Sequence, residues 1–330
     1  MIRKILSSLA ISCSVLTISA VNGYAQALPK VVTGVVGTSA TQLPLYWAID
    51  RSCDKQNGFE IDVVTVGGGA AQQLTVGAVN VANSGFPDFF QAIARGAPVK
   101  MFVNNQVSPP YSIYAKPTIA KVADLKGKTL SIGGIADVTL IYMQAFLGAS
   151  GLTIKDVDFI FAKATNDRLT ALISGGVDAT ILIPPAAFLA EAQGFRNLGE
   201  VSDVLKDYPF TVWATNSSWA AKNPKLVDAF AKCQLLGSAF INSPANRSDT
   251  IALISKYTRV KPDAAEKTYD YLVTRLRSYR EDGLLTEATF SQMKAGLIQM
   301  GTIKEPLPPL SRFFDRAHVD AAAKTLPGKK

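Results

Sequence analysis

The chain has 330 residues, 48% hydrophobic and 18% charged, with 34 Lys+Arg against 26 Asp+Glu and a formal net charge of +8. That length allows one large or two modest domains with a sizeable core. The basic excess is dispersed and never interleaved with aromatics as a cluster, which disfavours nucleic acid as a partner. His318 is the single histidine and there are three cysteines. No Ser–His or Cys–His pair and no zinc cluster can be assembled from that inventory. A phosphate-binding G-x-x-x-x-G-K-[ST] loop is absent and Gly67-Gly68-Gly69 lacks the dinucleotide spacing, so no catalytic residue, metal or cofactor is expected.

Met1-Ile2-Arg3-Lys4, an apolar and serine-rich run from Ile5 to Val21, and Ala25-Gln26-Ala27 read as a signal peptide over residues 1–27, cleaved near Ala25 or Ala27. Ser7, Ser8, Ser12, Ser14 and Ser19 argue against a membrane anchor, and Ala10 argues against lipidation at Cys13. The mature chain is therefore expected in the periplasm. There Cys53 and Cys233 remain, and their spacing does not decide between a disulfide and two separate thiols.

From Val31 one device is repeated: an apolar run, a loop of small residues, then helical spacing. Val31–Val36 leads through Gly37-Thr38-Ser39-Ala40-Thr41 to a helix over 43–50. Ile61–Val66 leads through Gly67–Ala71 to a second helix, and Val79–Asn83 leads through Ser84-Gly85-Phe86-Pro87 to a third over 88–94. Strand tips followed by helix N-termini are where α/β sheets hold small polar ligands, and the unpaired N–H groups there favour negative charge. After strands at 99–103 and 112–115 the device returns at Thr129–Ile132 with Gly133-Gly134, then at 158–161 and 177–183, where Pro184-Pro185 opens a helix. Phe210–Ala214 is one more strand, and beyond it the chain reads as mostly helical. These two α/β blocks predict a clamshell: residues 28–111 and 210–330 form lobe 1, residues 112–209 form lobe 2, two segments cross between them, and the ligand lies in the cleft.

Leu43-Pro44-Leu45-Tyr46-Trp47-Ala48, Gly67-Gly68-Gly69, Ala94–Val99, Asp124–Lys128, Gly175–Ala179 and Ser218–Pro224, in that order and spacing, give a resemblance. The chain resembles the solute-binding proteins of the sulfonate/taurine/nitrate and thiamine-precursor-like group that serve ABC importers. The resemblance implies the type II periplasmic-binding-protein fold, a helical C-terminal region, a monomer, a small-molecule ligand and a permease in the inner membrane as partner. The group often carries an Asp where this chain has Asn80, and an acidic residue where Pro185 stands.

The candidate ligand residues follow from the loops. Ser39, Thr41 and Ser84 offer hydroxyls to an anion, or only cap helices. Gly68, Gly69 and Ala70 offer main-chain N–H groups, or only a tight turn, and Gly134 stands at the matching tip in lobe 2. Phe86, Tyr111, Phe188 and Trp213 are candidate clamps for an apolar ligand body, or core residues. Asp137 caps its helix or takes an amine, and Pro185 lies on a pocket-facing loop. Arg168 suits a sulfonate but is expected on the surface. The reading is an importer component without enzymatic activity whose ligand is a small organic anion, its head near Ser39, Gly69 and Ser84 with no buried lysine or arginine. The alternatives are a pyrimidine-like heterocycle held by stacking, an exported sensor, or an enzyme like the pyrimidine synthases of similar fold.

Overall fold

The structure is a computed structural model that describes residues 27–67, 69–135, 137–205 and 208–326. The signal-peptide expectation, Cys13 and Gly68 fall outside those residues. Among the described residues ten strands form two sheets. The first contains β1 (Lys30–Val35), β2 (Glu60–Thr65), β3 (Val81–Gly85), β4 (Val99–Asn104) and β10 (Thr211–Asn216), in the order β2-β1-β3-β10-β4. The second contains β5 (Ser112–Ala115), β6 (Thr129–Ile132), β7 (Asp158–Phe161), β8 (Ala179–Leu182) and β9 (Arg196–Glu200), in the order β7-β6-β8-β5-β9.

In each five-stranded sheet four strands run the same way and one is reversed. β1 pairs in parallel with β2 and β3, with Val31 opposite Ile61 and Val35 opposite Asn83, while β10 runs antiparallel to β3 and β4. β6 pairs in parallel with β7 and β8, while β5 runs antiparallel to β8 and β9. The parallel strands therefore point their C-terminal ends at one rim of each sheet, and both rims face the same gap. This is the two-lobed periplasmic-binding-protein fold. No helix among the described residues is long and apolar enough to cross a membrane.

Helices cover the sheets because their apolar stripes have nowhere else to go. Phe86–Ala94 buries Phe86, Phe89, Phe90 and Ile93, and Pro224–Asn242 buries Val227, Phe230, Cys233 and Gly237. The latter packs against Leu43–Asp50 at Gly237, where an added Cβ would lie 2.8 Å from Pro44 O, so only glycine admits this approach.

Two runs cross between the sheets, one from Asn104 to Ser112 and one ending at Thr211. They pair: Val107 bridges Pro209, Ser108 N donates to Tyr208 O, and Phe210 N donates to Gln106 O. A third run flanks them, since Gln106 bridges Tyr279, Val107 N donates to Ser278 O and Asn104 N donates to Gly283 O. This third run has no helical or strand period and so carries no local signal.

Cys53 and Cys233 are joined by a disulfide with a sequence separation of 180. It ties the short helix Cys53–Gln56 to Pro224–Asn242. In the chain-entropy picture a loop of that length restricts the unfolded chain strongly. Cys53→Ser should lower the unfolding free energy by about 2–5 kcal/mol. Denaturant unfolding without reductant measures this, and a wild-type sample in reductant should unfold like the variant.

Candidate functional site

The two rims enclose an inner cavity of about 90 Å³ lined by Thr38, Ser39, Asn83, Tyr111, Asp137 and Arg168, among others. It opens onto a wider cleft of about 1170 Å³ bordered by Gly69, Asp88, Gly134, Ile135, Phe161 and Lys163, among others. Ser84, Gly85, Asp137, Val138 and Lys163 belong to both, so the space is continuous. At the floor the lobes nearly touch: a Cβ on Gly85 would lie 3.2 Å from Val138 Cγ1.

Arg168 is the residue that sets the chemistry of the inner cavity. It lies in the helix Thr165–Ile173 on the stripe Thr165, Arg168, Leu169 and Leu172, which faces inward, and it is 1% exposed. Nε donates to Ile181 O at 2.8 Å, and Nη1 donates to Ala162 O at 2.9 Å and Lys163 O at 2.7 Å. Nη2 makes none of these bonds. The guanidinium carbon lies 5.9 Å from the Tyr111 ring centroid. Among the described residues no carboxylate lies within 4.0 Å of the guanidinium. A buried cation compensated by carbonyl dipoles and the Tyr111 side chain, with no carboxylate beside it, leaves a positive field in its cavity. Ala164, Thr165 and Asn166, at the N-terminal end of the same helix, also line the cavity, and the unpaired N–H groups of that end add to the field. Burial pushes the Tyr111 hydroxyl up to about 12, with Arg168 pulling the other way, so Tyr111 is neutral at physiological pH.

Ser39 and Thr41 line the cavity, yet their polar atoms are engaged within their own turn. Ser39 Oγ donates to Gln42 Oε1 at 3.0 Å and accepts from Thr41 N at 3.2 Å, and it lies 2.5 Å from Thr41 Oγ1. Asp137 also borders the cavity. Its Oδ1 accepts from Thr139 N at 2.9 Å and from Thr139 Oγ1 at 2.6 Å, so it caps the helix Val138–Gly148. Gly133 makes this possible, because a Cβ there would meet the Asp137 carboxyl at 2.5 Å.

Asp88 stands on the opposite wall, half-buried in the first turn of Phe86–Ala94, and accepts from Ala71 N at 3.2 Å. Burial holds its carboxyl above the usual carboxylate range; the Ala71 N–H and then Lys163 act against this, and Asp137 reinforces it. No cation among the described residues lies within 4.0 Å of it.

The cleft thus gathers Ser39, Thr41, Ser84, Tyr111 and Asp137 at the inner cavity, and Gly69 and Gly134 at the outer one. Other candidates lie away from the cleft lining. Phe86 and Trp213 are 0% exposed. Phe86 packs on Tyr208 with centroids 6.0 Å apart, and Trp213 packs edge-on to Phe230 at 5.0 Å, because both project from their backbones into the core. Phe188 packs edge-on to Tyr271 at 6.0 Å, away from the cleft. Ala70 is buried beneath its helix, and neither it nor Pro185, which precedes Ala186–Ala192, is among the lining residues. Arg168 is not on the surface, and the head-group region does contain a buried arginine. The helical spacing of 165, 168, 169 and 172 carried that signal. Asp88, Lys163 and Asn83 also line the space without having been singled out.

Two sheets hinged by paired crossings, with a polar cavity between their rims, define a solute-binding architecture. The chain belongs to the NMT1/THI5-like family, whose model matches residues 40–246. It is 25% identical over 298 residues to YtlA of Bacillus subtilis (strain 168), whose name describes it as a binding protein, covering 86% of this chain and 87% of that one. It is 26% identical over 213 residues to the taurine-binding periplasmic protein of Escherichia coli (strain K12), covering 61% and 63% respectively. The structure of the alkanesulfonate-binding protein SsuA from Xanthomonas axonopodis pv. citri bound to MOPS superposes with a TM-score of 0.73 at 18% identity, over 89% of this chain and 100% of that one.

Asp88 offers a direct check on the site's electrostatics. A carboxyl whose folded value is raised contributes stability that is full below its unfolded pKa and is lost as pH rises through the folded value. At neutral pH its charge therefore works against folding. Asp88→Asn should melt above wild type near about pH 7, and the gap should close as pH falls towards about 3, below the ordinary Asp value. Thermal melts across that range are the measurement, and a variant less stable than wild type at neutral pH would contradict the assignment.

Proposed function

We propose that this protein is the extracytoplasmic solute-binding component of an ABC importer, which holds a small organic anion between its lobes and hands it to a membrane permease without chemical change. The observation that carries this reading is Arg168, a buried cation without a carboxylate partner, together with a helix N-terminus on the same cavity wall. A sulfonate or carboxylate head supplies the missing negative charge and accepts from Nη2 and the helix N–H groups. An inner cavity of about 90 Å³ suits a head group rather than a whole ligand. The wider cleft, with Ile135 and Phe161 exposed on its wall, suits the remainder.

The ligands in the relatives' names, taurine and alkanesulfonates, support an anion. In this reading residues 28–111 with 210–330 move as one lobe and residues 112–209 as the other. The closed monomer then presents surfaces of both lobes to the permease. Residues 1–27 direct export to the periplasm. A heterocycle gripped by stacking has less support, because Phe86 and Trp213 are core residues. A transforming enzyme also has less support, since His318 bonds Asp228 and does not border the cleft.

Arg168→Gln should weaken anion binding by about 2–5 kcal/mol, the scale of removing one partner of a buried charge pair. Calorimetry against sulfonates, carboxylates and pyrimidines reads it, with melting curves to confirm the fold. Binding of uncharged heterocycles alone would overturn the anion. Solution scattering should show a smaller radius with saturating ligand, and an unchanged radius would remove the hinge.

A further inference from the structure

We infer that Tyr111 is a head-group-binding residue, which meets the ligand's anion with its hydroxyl as a neutral donor beside Arg168 and keeps its ring in the core. This rests on the anion reading above and deepens it: a charged and an uncharged donor grip the head together.

The ring is already held by the protein. Its centroid lies 5.5 Å from that of Tyr142, Phe210 stands edge-on at 5.3 Å, and the Arg168 guanidinium is 5.9 Å away. Tyr111 is 6% exposed, yet it borders the inner cavity together with Arg168 and Phe210. A ring packed in this way has its polar end left to offer to the cavity.

The phenol proton makes the case. Tyr142, Tyr208, Tyr271 and Tyr279 are buried too, and each gives its proton to a protein acceptor: Pro209 O, Gln292 O, Glu200 Oε2 and Ala40 O respectively. Tyr111 does not. The side chain that bonds its oxygen is Arg168, and a guanidinium only donates. Asp137 acts on Tyr111 as a charge, and its Oδ1 is taken by Thr139 N and Oγ1. Among the described residues the Tyr111 proton therefore has no acceptor. A buried donor without an acceptor is unfavourable, and an anionic head at Arg168 supplies one. The guanidinium polarises the phenol it bonds, so the chain from Arg168 through Tyr111 to the anion is cooperative. Because burial keeps the phenol protonated, it serves as a donor throughout the physiological pH range.

The test is calorimetry on the full mature chain, with ethanesulfonate, butanesulfonate, propionate and pentanoate as probes. Wild type is compared with Tyr111→Phe and with a chain carrying 3-fluorotyrosine in place of Tyr111. Tyr111→Phe keeps the ring and its neighbours. It should weaken every anion that wild type binds by about 10- to 100-fold, the scale of a hydrogen bond to a charged group, and by the same factor for short and long chains. The fluorinated phenol is a stronger donor and should bind the anions more tightly than wild type, which a packing role would not produce. Wild-type affinity in Tyr111→Phe, the result expected of a ring that grips the ligand, would overturn the inference and leave the anion reading standing. Should melting curves show that Tyr111→Phe does not fold, the fluorotyrosine chain decides, and unchanged or weaker binding there overturns the inference. A wild type that binds none of these anions would remove both readings.

Discussion

Everything about this molecule depends on the main-chain pairing where the chain passes between the sheets. Asn104–Ser112 and the run ending at Thr211 are bonded to each other, and Ser278–Gly283 is bonded alongside. Backbone groups in a crossing cannot be left unpaired inside the protein, so the segments that change lobes must satisfy one another. Their pairing fixes which strand ends face which. With β4 leaving the first sheet beside the point where β10 enters it, and β5 entering the second, the parallel strands of both sheets point at the same gap. The cleft is a product of that topology, and the small residues at the rims decide how close the walls come.

Within the cleft the protein places groups that folding alone would not select. A guanidinium held by Ile181, Ala162 and Lys163 carbonyls orders the tips of β7 and β8, but a neutral side chain could be packed there at lower desolvation cost. Asp88 is similar, with burial raising its carboxyl. Buried charges without a matched partner leave a fold less stable than it could be. The contrast with the surface pairs is instructive. Arg247 with Glu266 and Asp270 is a matched set of ion pairs reaching into solvent, where little rides on them.

Much of the fold was legible because its signals are local. Apolar runs ending in Gly37, Gly67, Gly85 and Gly133 marked strand tips, and Asp137 followed by helical spacing marked a cap. What each side chain faces was harder to read. β10 is buried along its whole length, so it has no alternation to tell Trp213 from its neighbours. An aromatic at a strand tip, such as Phe86, says nothing about which side of the helix carries it. Arg168 is a different failure: its position on the inward stripe was present in the spacing, but a lone charged residue near a helix start ordinarily points to water. The irregular run over Ser278–Gly283 had no period at all, and the disulfide joins residues 180 apart, a relation no local pattern encodes.

The disulfide has one more consequence. Cys53 and Cys233 bracket every strand of the second sheet, since β5 to β9 all lie between them, while the elements they join both belong with the first. The second sheet is thus a loop threaded out of, and returned to, a covalently closed ring. A protease that nicks any exposed turn of that lobe produces two chains that remain one molecule as long as the bond is oxidised. In an oxidising compartment that half can therefore be cut without the protein coming apart, and only reduction would release the pieces.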